Sequence, residues 1–326
     1  MNTRRQRGQA ANPQMAAAVI ALSVGCLVPA VASVLLAWPD ADSFAILLPP
    51  ALVAAVVVLL VLPFWPANTH HRMLAAAMAL ATVIMSATHL WPEFSQRTRE
   101  SAPRTDAAIV ILYWKMDRAS DALERTVNIL RSSKADALML EETDSALGLR
   151  LDDRLKDLYP YRSLCRATCG YAIFSRRPIV AEQRWKADGP ALIWVRTTDR
   201  RGEPATLVNA HIPAGDIRST STAIARELPP AMRGSMVLAG DMNMMPWSHT
   251  MRQLDLLLRP MTRATHWLPS WPGEYRGWKS PVALMPFDQI YIGDQWKSAT
   301  ISRIPNAPSG HYPLLMSLTR QADSSE

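Results

Sequence analysis

Three long stretches near the start of the chain, residues 15–38, 44–66 and 73–91, contain no Asp, Glu, Lys or Arg. A helix that crosses a bilayer needs roughly 20 apolar residues, and each stretch reaches that length. One soluble core rarely takes three such segments from so short a span, so the pattern predicts three transmembrane helices within residues 1–91. A cleaved leader is the competing reading of the first stretch. Arg4, Arg5 and Arg7 resemble its basic start, and "AVAS" resembles a cleavage site. Two more apolar stretches follow at once, which favours a multi-pass anchor.

Basic residues orient such an anchor. Arg4, Arg5 and Arg7 precede the first stretch; the first loop carries Asp40 and Asp42 without Lys or Arg; the second carries Arg72. The N-terminus and second loop are therefore expected inside, and everything after residue 91 outside. In a bacterium this is a multi-pass inner-membrane protein with a periplasmic domain. Of the net charge of +7, four arginines against two aspartates place +2 in the first 91 residues, leaving a diffuse +5 for the rest. That suits a phosphate-bearing ligand or an anionic surface, but no basic run marks a nucleic-acid strip. Cys165 and Cys169 form C-x3-C. In an oxidising compartment they are expected to close a small disulfide loop, with two free thiols as the alternative.

Residues 92–106 are polar and read as a linker, and residues 321–326 as a disordered tail. Between them, residues 107–320 alternate short Ile- and Val-rich runs with helical spacings. Expected strands are "AAIVILYW", "ADALMLEE", "GYAIFSRRPI", "ALIWVRTT", "ATLVNAHIP", "SMVLAGD", "FDQIYIGD" and "YPLLMSLT"; expected helices are "RASDALERTVNILRSS", "STSTAIARELPPAM" and "SHTMRQLDLLL". Strands outnumber helices and often follow one another directly. This argues for an α/β sandwich of mixed sheets, not a doubly wound parallel sheet.

Several buried runs end in polar side chains: Glu141 and Glu142, Asn209 and His211, Asp241 and Asn243, Asp288, and His311. Phosphoester hydrolysis calls for such groups. Carboxylates hold a hard cation, a carboxylate or imidazole activates water, and donors stabilise developing negative charge. Strand alternation puts Asp241 and Asn243 on one face.

The order of these segments resembles the endonuclease/exonuclease/phosphatase superfamily over about residues 107–318. "ADALMLEET" resembles its strand ending in Leu-Gln-Glu, which implies a metal-binding Glu142 and puts Glu141 where Gln is usual. "GYAIFSRRPI", "LVNAHIPAG", "VLAGDMNMMPWS", "FDQIYI" and "SGHYPLLMSL" resemble its later motifs. The resemblance implies Asp241 as base or water orienter, Asn243 and His211 at the phosphate, and Asp288 orienting His311. It also implies a four-layer sandwich, two mixed β-sheets flanked by helices, with Mg²⁺ or else Mn²⁺ as cofactor. The substrate would be a phosphoester: nucleic acid, phospholipid head group or sugar phosphate. No protein partner is readable.

The sequence departs from the family at three places. "VILYWK" puts Trp114 about where the first strand ends in a metal-binding Asn; Gly310 replaces the Asp before the last His; Gln289 follows Asp288. The first two thin the metal end, where Glu141 or Asp117 would have to compensate. A degenerate, non-catalytic domain that binds a phosphate-bearing ligand or a protein is the alternative to a phosphoesterase.

Overall fold

The computed structural model describes residues 13–35, 39–65, 68–116, 122–164, 170–184, 192–213, 217–275 and 277–321. Asp117, Cys165, Cys169 and the tail beyond Gln321 lie outside the described residues. By contacts the chain divides into two units: residues 1–95 with Trp247–His249, and the remainder.

The first unit contains helices α1 (Pro13–Leu35), α2 (Leu48–Val61) and α3 (Thr69–Ser95). Small residues let α2 and α3 approach closely: Ala55 and Val58 pack with Ala75 and Ala79. Two helical stretches, Asp42–Phe64 and Thr69–Ser95, are long and apolar enough to cross a membrane; the apolar run in α1, Ala17–Ala32, is shorter. Three spans were expected, and two among the described residues meet the measure.

The second unit runs in the order β1 (Ile109–Lys115), α4 (Leu123–Ser132), β2 (Ala137–Glu141), α5 (Ser145–Leu155), β3 (Tyr161–Leu164), β4 (Tyr171–Ser175), β5 (Ala181–Arg184), β6 (Leu192–Thr198), β7 (Pro204–Ala210), α6 (Ile217–Glu227), β8 (Met236–Asp241), α7 (His249–Leu257), β9 (Thr262–Arg263), β10 (Glu274–Tyr275), β11 (Trp278–Lys279), β12 (Asp288–Ile292), β13 (Trp296–Arg303) and β14 (Leu314–Arg320). Two six-stranded sheets form, ordered β13-β14-β1-β2-β4-β3 and β5-β6-β7-β8-β12-β9. Each holds one parallel pair, β1–β2 in the first and β7–β8 in the second, among antiparallel neighbours. Each parallel pair needs a crossover, which α4 and α6 supply. Both sheets are mixed, as expected. The sequence reading missed α5 and the short or polar strands β3, β5, β9, β10, β11 and β13.

Alternation sorts the strands into layers. Ile109, Ile111, Tyr113 and Met139 of the first sheet meet Leu207, Val237, Ala239 and Ile290 of the second in one core. Leu112, Trp114 and Leu140 face the other way, against Val127 and Leu130 of α4 and Leu147 and Leu151 of α5. Leu238 and Tyr291 likewise face Ile224 of α6 and Met251 and Leu254 of α7. Helix, sheet, sheet and helix thus make four layers. Residues 96–106 lie against this unit: Thr98 N donates to His266 O at 2.7 Å, and Arg303 Nε donates to Glu100 Oε1 at 3.0 Å.

Candidate functional site

The inward parity of β1, β2, β7, β8 and β12 carries the core to one end of the sandwich and then becomes polar. Lys115 follows Ile111 and Tyr113 on β1 and lies directly opposite Glu141 of β2. On the second sheet Asp241 lies directly opposite Asp288. Asn209 is fully buried on the same parity of β7, and its Nδ2 donates to Leu140 O at 2.9 Å, tying the two sheets together. Gly240 sits where β8 and β7 meet: a Cβ there would lie 1.7 Å from Ala210 O. Only glycine lets Asp241 come forward at that point.

The seven residues singled out from sequence converge here. Asp241 is the hub. Its backbone N–H donates to Glu141 Oε1 at 3.3 Å, and its Oδ1 accepts from Asn243 N at 2.8 Å. Asn243 has φ +48°, and its Nδ2 donates to Ile212 O at 3.0 Å. Glu142 also lies in the left-handed region, at φ +54°. Such backbone costs a non-glycine residue roughly 1–2 kcal/mol, and both residues flank the same end of the sandwich.

His311 stands on the other side of Asp241. Its Nε2 is 3.9 Å from Asp241 Oδ2, and its Nδ1 is 2.7 Å from Asp288 Oδ2. A carboxylate only accepts, so the Nδ1 proton points at Asp288 and Nε2 faces the hub. Asp288 also accepts from Tyr113 OH at 2.9 Å, and its N–H donates to Ser270 Oγ at 3.3 Å. Burial alone would raise the Asp288 carboxyl, but His311 and these hydroxyls hold it below its usual range. Burial likewise opposes the charge on His311, yet Asp288 and Asp241 raise its pKa. A cavity of about 110 Å³ adjoins His311, lined also by Glu274, Lys279, Ser309 and Tyr312.

Glu141 and His211 form the third corner, with Glu141 Oε2 3.6 Å from His211 Nδ1. Burial pushes the Glu141 carboxyl up to about 7. Burial works against the His211 charge too, but Glu141 and Asp241 win and its pKa is raised.

Sequence reasoning missed Tyr113, Tyr171, Ser309 and above all Lys115. Tyr171 is buried beside Glu141 and bonded to the His211 backbone. Ser309 Oγ donates to Lys115 O at 2.7 Å and accepts from His311 N at 3.2 Å. The Lys115 Nζ lies 2.7 Å from Asp241 Oδ2 and 3.1 Å from Glu142 Oε1. Burial opposes that ammonium, but Asp241 and Glu142 raise its pKa well above the ordinary value. Trp114 was placed at this end from sequence. It points to the helix layer instead, where its Nε1 donates to His311 O at 3.2 Å.

These donors do not fit a divalent cation. Oxygens of two of the carboxylates, Glu142 Oε1 and Asp241 Oδ2, are both taken by the Lys115 ammonium. A divalent ion 4 Å from that ammonium meets a repulsion of roughly 8 kcal/mol at an effective dielectric of 20. Among the described residues no group of three or more His, Cys, Asp or Glu is arranged to hold a metal.

Comparison with known proteins decides the lineage. The sequence profile of the Endonuclease/Exonuclease/phosphatase family matches residues 114–310. The chain belongs to that family. Solved relatives share the fold of this endonuclease/exonuclease/phosphatase protein at low identity. An endonuclease/exonuclease/phosphatase family protein from Bacteroides thetaiotaomicron is 11% identical over 67% of this chain and 97% of its own, with TM-score 0.52. A family protein from Beutenbergia cavernae is 16% identical over 65% of this chain and 71% of its own, with TM-score 0.51. The human nocturnin catalytic domain, solved with bound sulfate, is 14% identical over 71% of this chain and 98% of its own, with TM-score 0.53. No curated protein sequence matches the chain.

Proposed function

We propose that the chain is a membrane-anchored hydrolase of phosphoester bonds. The observation that carries this reading is the Asp288–His311 pair facing Asp241 across one buried end of the sandwich, 2.7 and 3.9 Å from the imidazole nitrogens. In that arrangement Asn243 and His211 bind phosphoryl oxygens, and Asp241 orients a water. The water oxygen bonds to phosphorus and its proton passes to Asp241. The ester P–O bond breaks, and the departing oxygen takes a proton from one of the two imidazolium groups. The family implies Mg²⁺ or Mn²⁺, but the donor geometry does not suit either ion, and no step is routed through one. Substrates compatible with the site are nucleic acids, phospholipid head groups and sugar phosphates.

The helical stretches Asp42–Phe64 and Thr69–Ser95 support the anchor. The bias of Arg4, Arg5, Arg7 and Arg72 against Asp40 and Asp42 supports a periplasmic face for the second unit. A reporter fused after Glu326 should then be active outside the cytoplasm; activity inside would reverse the orientation.

The functional test is turnover of bis(4-nitrophenyl) phosphate and of 4-nitrophenyl phosphate by the purified full chain, with Asp241→Asn as control. The variant should lose at least about 100-fold. A second reading, a phosphate-binding domain without catalysis, draws on Lys115, because a salt-bridged carboxylate suits a static site. Phosphate binding without turnover of either probe would establish it.

A further inference from the structure

We infer that the Lys115 ammonium is the built-in cation of this site, standing where other members of the family are expected to place a divalent metal. This rests on the phosphoesterase reading above. Four observations on the molecule point to it.

Lys115 ends β1 on the inward parity, in register with Glu141, and so emerges between the two sheets at the polar end. Its ammonium bridges carboxylates from both sheets, Glu142 at 3.1 Å and Asp241 at 2.7 Å. Its position is built, not incidental: Ser309 Oγ holds its carbonyl at 2.7 Å, and Met116 N donates to Glu141 O at 2.9 Å just beyond it. The Lys115 side chain is only 11% exposed, so it does not swing in bulk water as a surface lysine does.

An ammonium has three N–H donors. Asp241 and Glu142 account for two, which leaves one for a phosphoryl oxygen. A lysine is a compact point charge suited to phosphate. It supplies positive charge beside the attacking water without the six or more oxygens that a hard divalent ion requires. The two carboxylates that could hold a Mg²⁺ together with its waters and a substrate phosphate are instead paired with the ammonium. Turnover by this chain needs no divalent metal.

The test compares the full chain with Lys115→Asn and Lys115→Arg in two measurements. The first is Mn²⁺ binding by electron paramagnetic resonance, with melting temperature in millimolar Mg²⁺ as a parallel readout. The second is turnover of bis(4-nitrophenyl) phosphate in EDTA and in Mn²⁺. The parent should bind no Mn²⁺ at the site, and its turnover should change less than twofold in EDTA. Lys115→Asn should lose on the order of 100-fold in EDTA, gain Mn²⁺ binding, and recover rate and melting temperature with the metal. Lys115→Arg, which keeps the charge and guards against a folding defect in the other variant, should stay resistant to EDTA. The inference is overturned if the parent binds Mn²⁺ and Lys115→Asn binds it no better, or if Lys115→Arg becomes sensitive to EDTA. Absence of turnover in every form defeats the phosphoesterase reading instead, while the Mn²⁺ measurements still decide whether Lys115 holds the cation position.

Discussion

Asp241 and Asp288 lie directly across from each other on antiparallel strands, and His311 reaches both. Like charges in direct opposition destabilise a sheet. Here the imidazole on one side and the Lys115 ammonium on the other offset that repulsion. The relationship predicts the behaviour of Asp288→Asn. Asp288 raises the His311 pKa, so removing its charge lowers it. If protonated His311 is the active form, the basic limb of the pH–rate profile should move to lower pH, and kcat should fall by about 10²–10⁴. An unmoved basic limb would assign the titration to another group.

Glu141 should leave a signature in stability. Its folded pKa is about 7 against an ordinary 4.5, because burial disfavours the charge. The fold therefore keeps a proton that the unfolded chain releases, so stability should fall as pH rises from about 4.5 to about 7 and then level off. The shift corresponds to about 3 kcal/mol at most. Glu141→Gln should remove this dependence and melt higher than the parent at pH 8 with little change at pH 4. Equal shifts at both pH values would mean that the carboxyl is not the source.

Asn243 combines a backbone role with a side-chain role, and two variants separate them. Asn243→Ala puts a Cβ residue without local hydrogen bonding at φ +48° and should cost about 1–2 kcal/mol. Asn243→Gly relieves the backbone, so thermal stability should stay near the parent while turnover falls. A fully active Asn243→Gly would show that the side chain only shapes the turn.

Gly240→Ala should be among the most damaging small substitutions in the domain. The added methyl meets a backbone oxygen at 1.7 Å, and neither sheet strand can yield without breaking β7–β8 pairing. Overpacking of this kind costs about 3 kcal/mol or more, measurable by thermal or urea unfolding. A loss below 1 kcal/mol, in order-of-magnitude terms, would mean that β8 can slide.

The candidate site was legible where polar residues stand out against apolar runs. His211, Asp241 and Asn243 stand at the end of such runs, Asp288 opens one and His311 precedes one, and all lie at one site. Lys115 was not legible for a definite reason. Residues 109–114 are apolar on both faces because helices cover one side of the first sheet and the second sheet covers the other. Such a strand has no alternation from which to count parity, so the reading slipped by one residue and settled on Trp114. Counting forward by twos from Ile111, which packs between the sheets, would have reached Tyr113 and Lys115. Strand β13 escaped for the opposite reason: an edge strand reading "WKSATISR" has too few apolar residues to announce itself. The helix α5 was hidden by a short, strongly charged sequence, although Asp144 caps it through Leu147 N at 2.6 Å.

Lys115 belongs to one sheet and Asp241 to the other, and their ion pair closes the sandwich at its reactive end. The groups for chemistry are therefore divided between two halves of the domain, and neither half holds a working set. The Lys115–Asp241 pair exists only when the two sheets are docked. On the proposed reading, hydrolysis would require both sheets in place, so activity would report a finished domain.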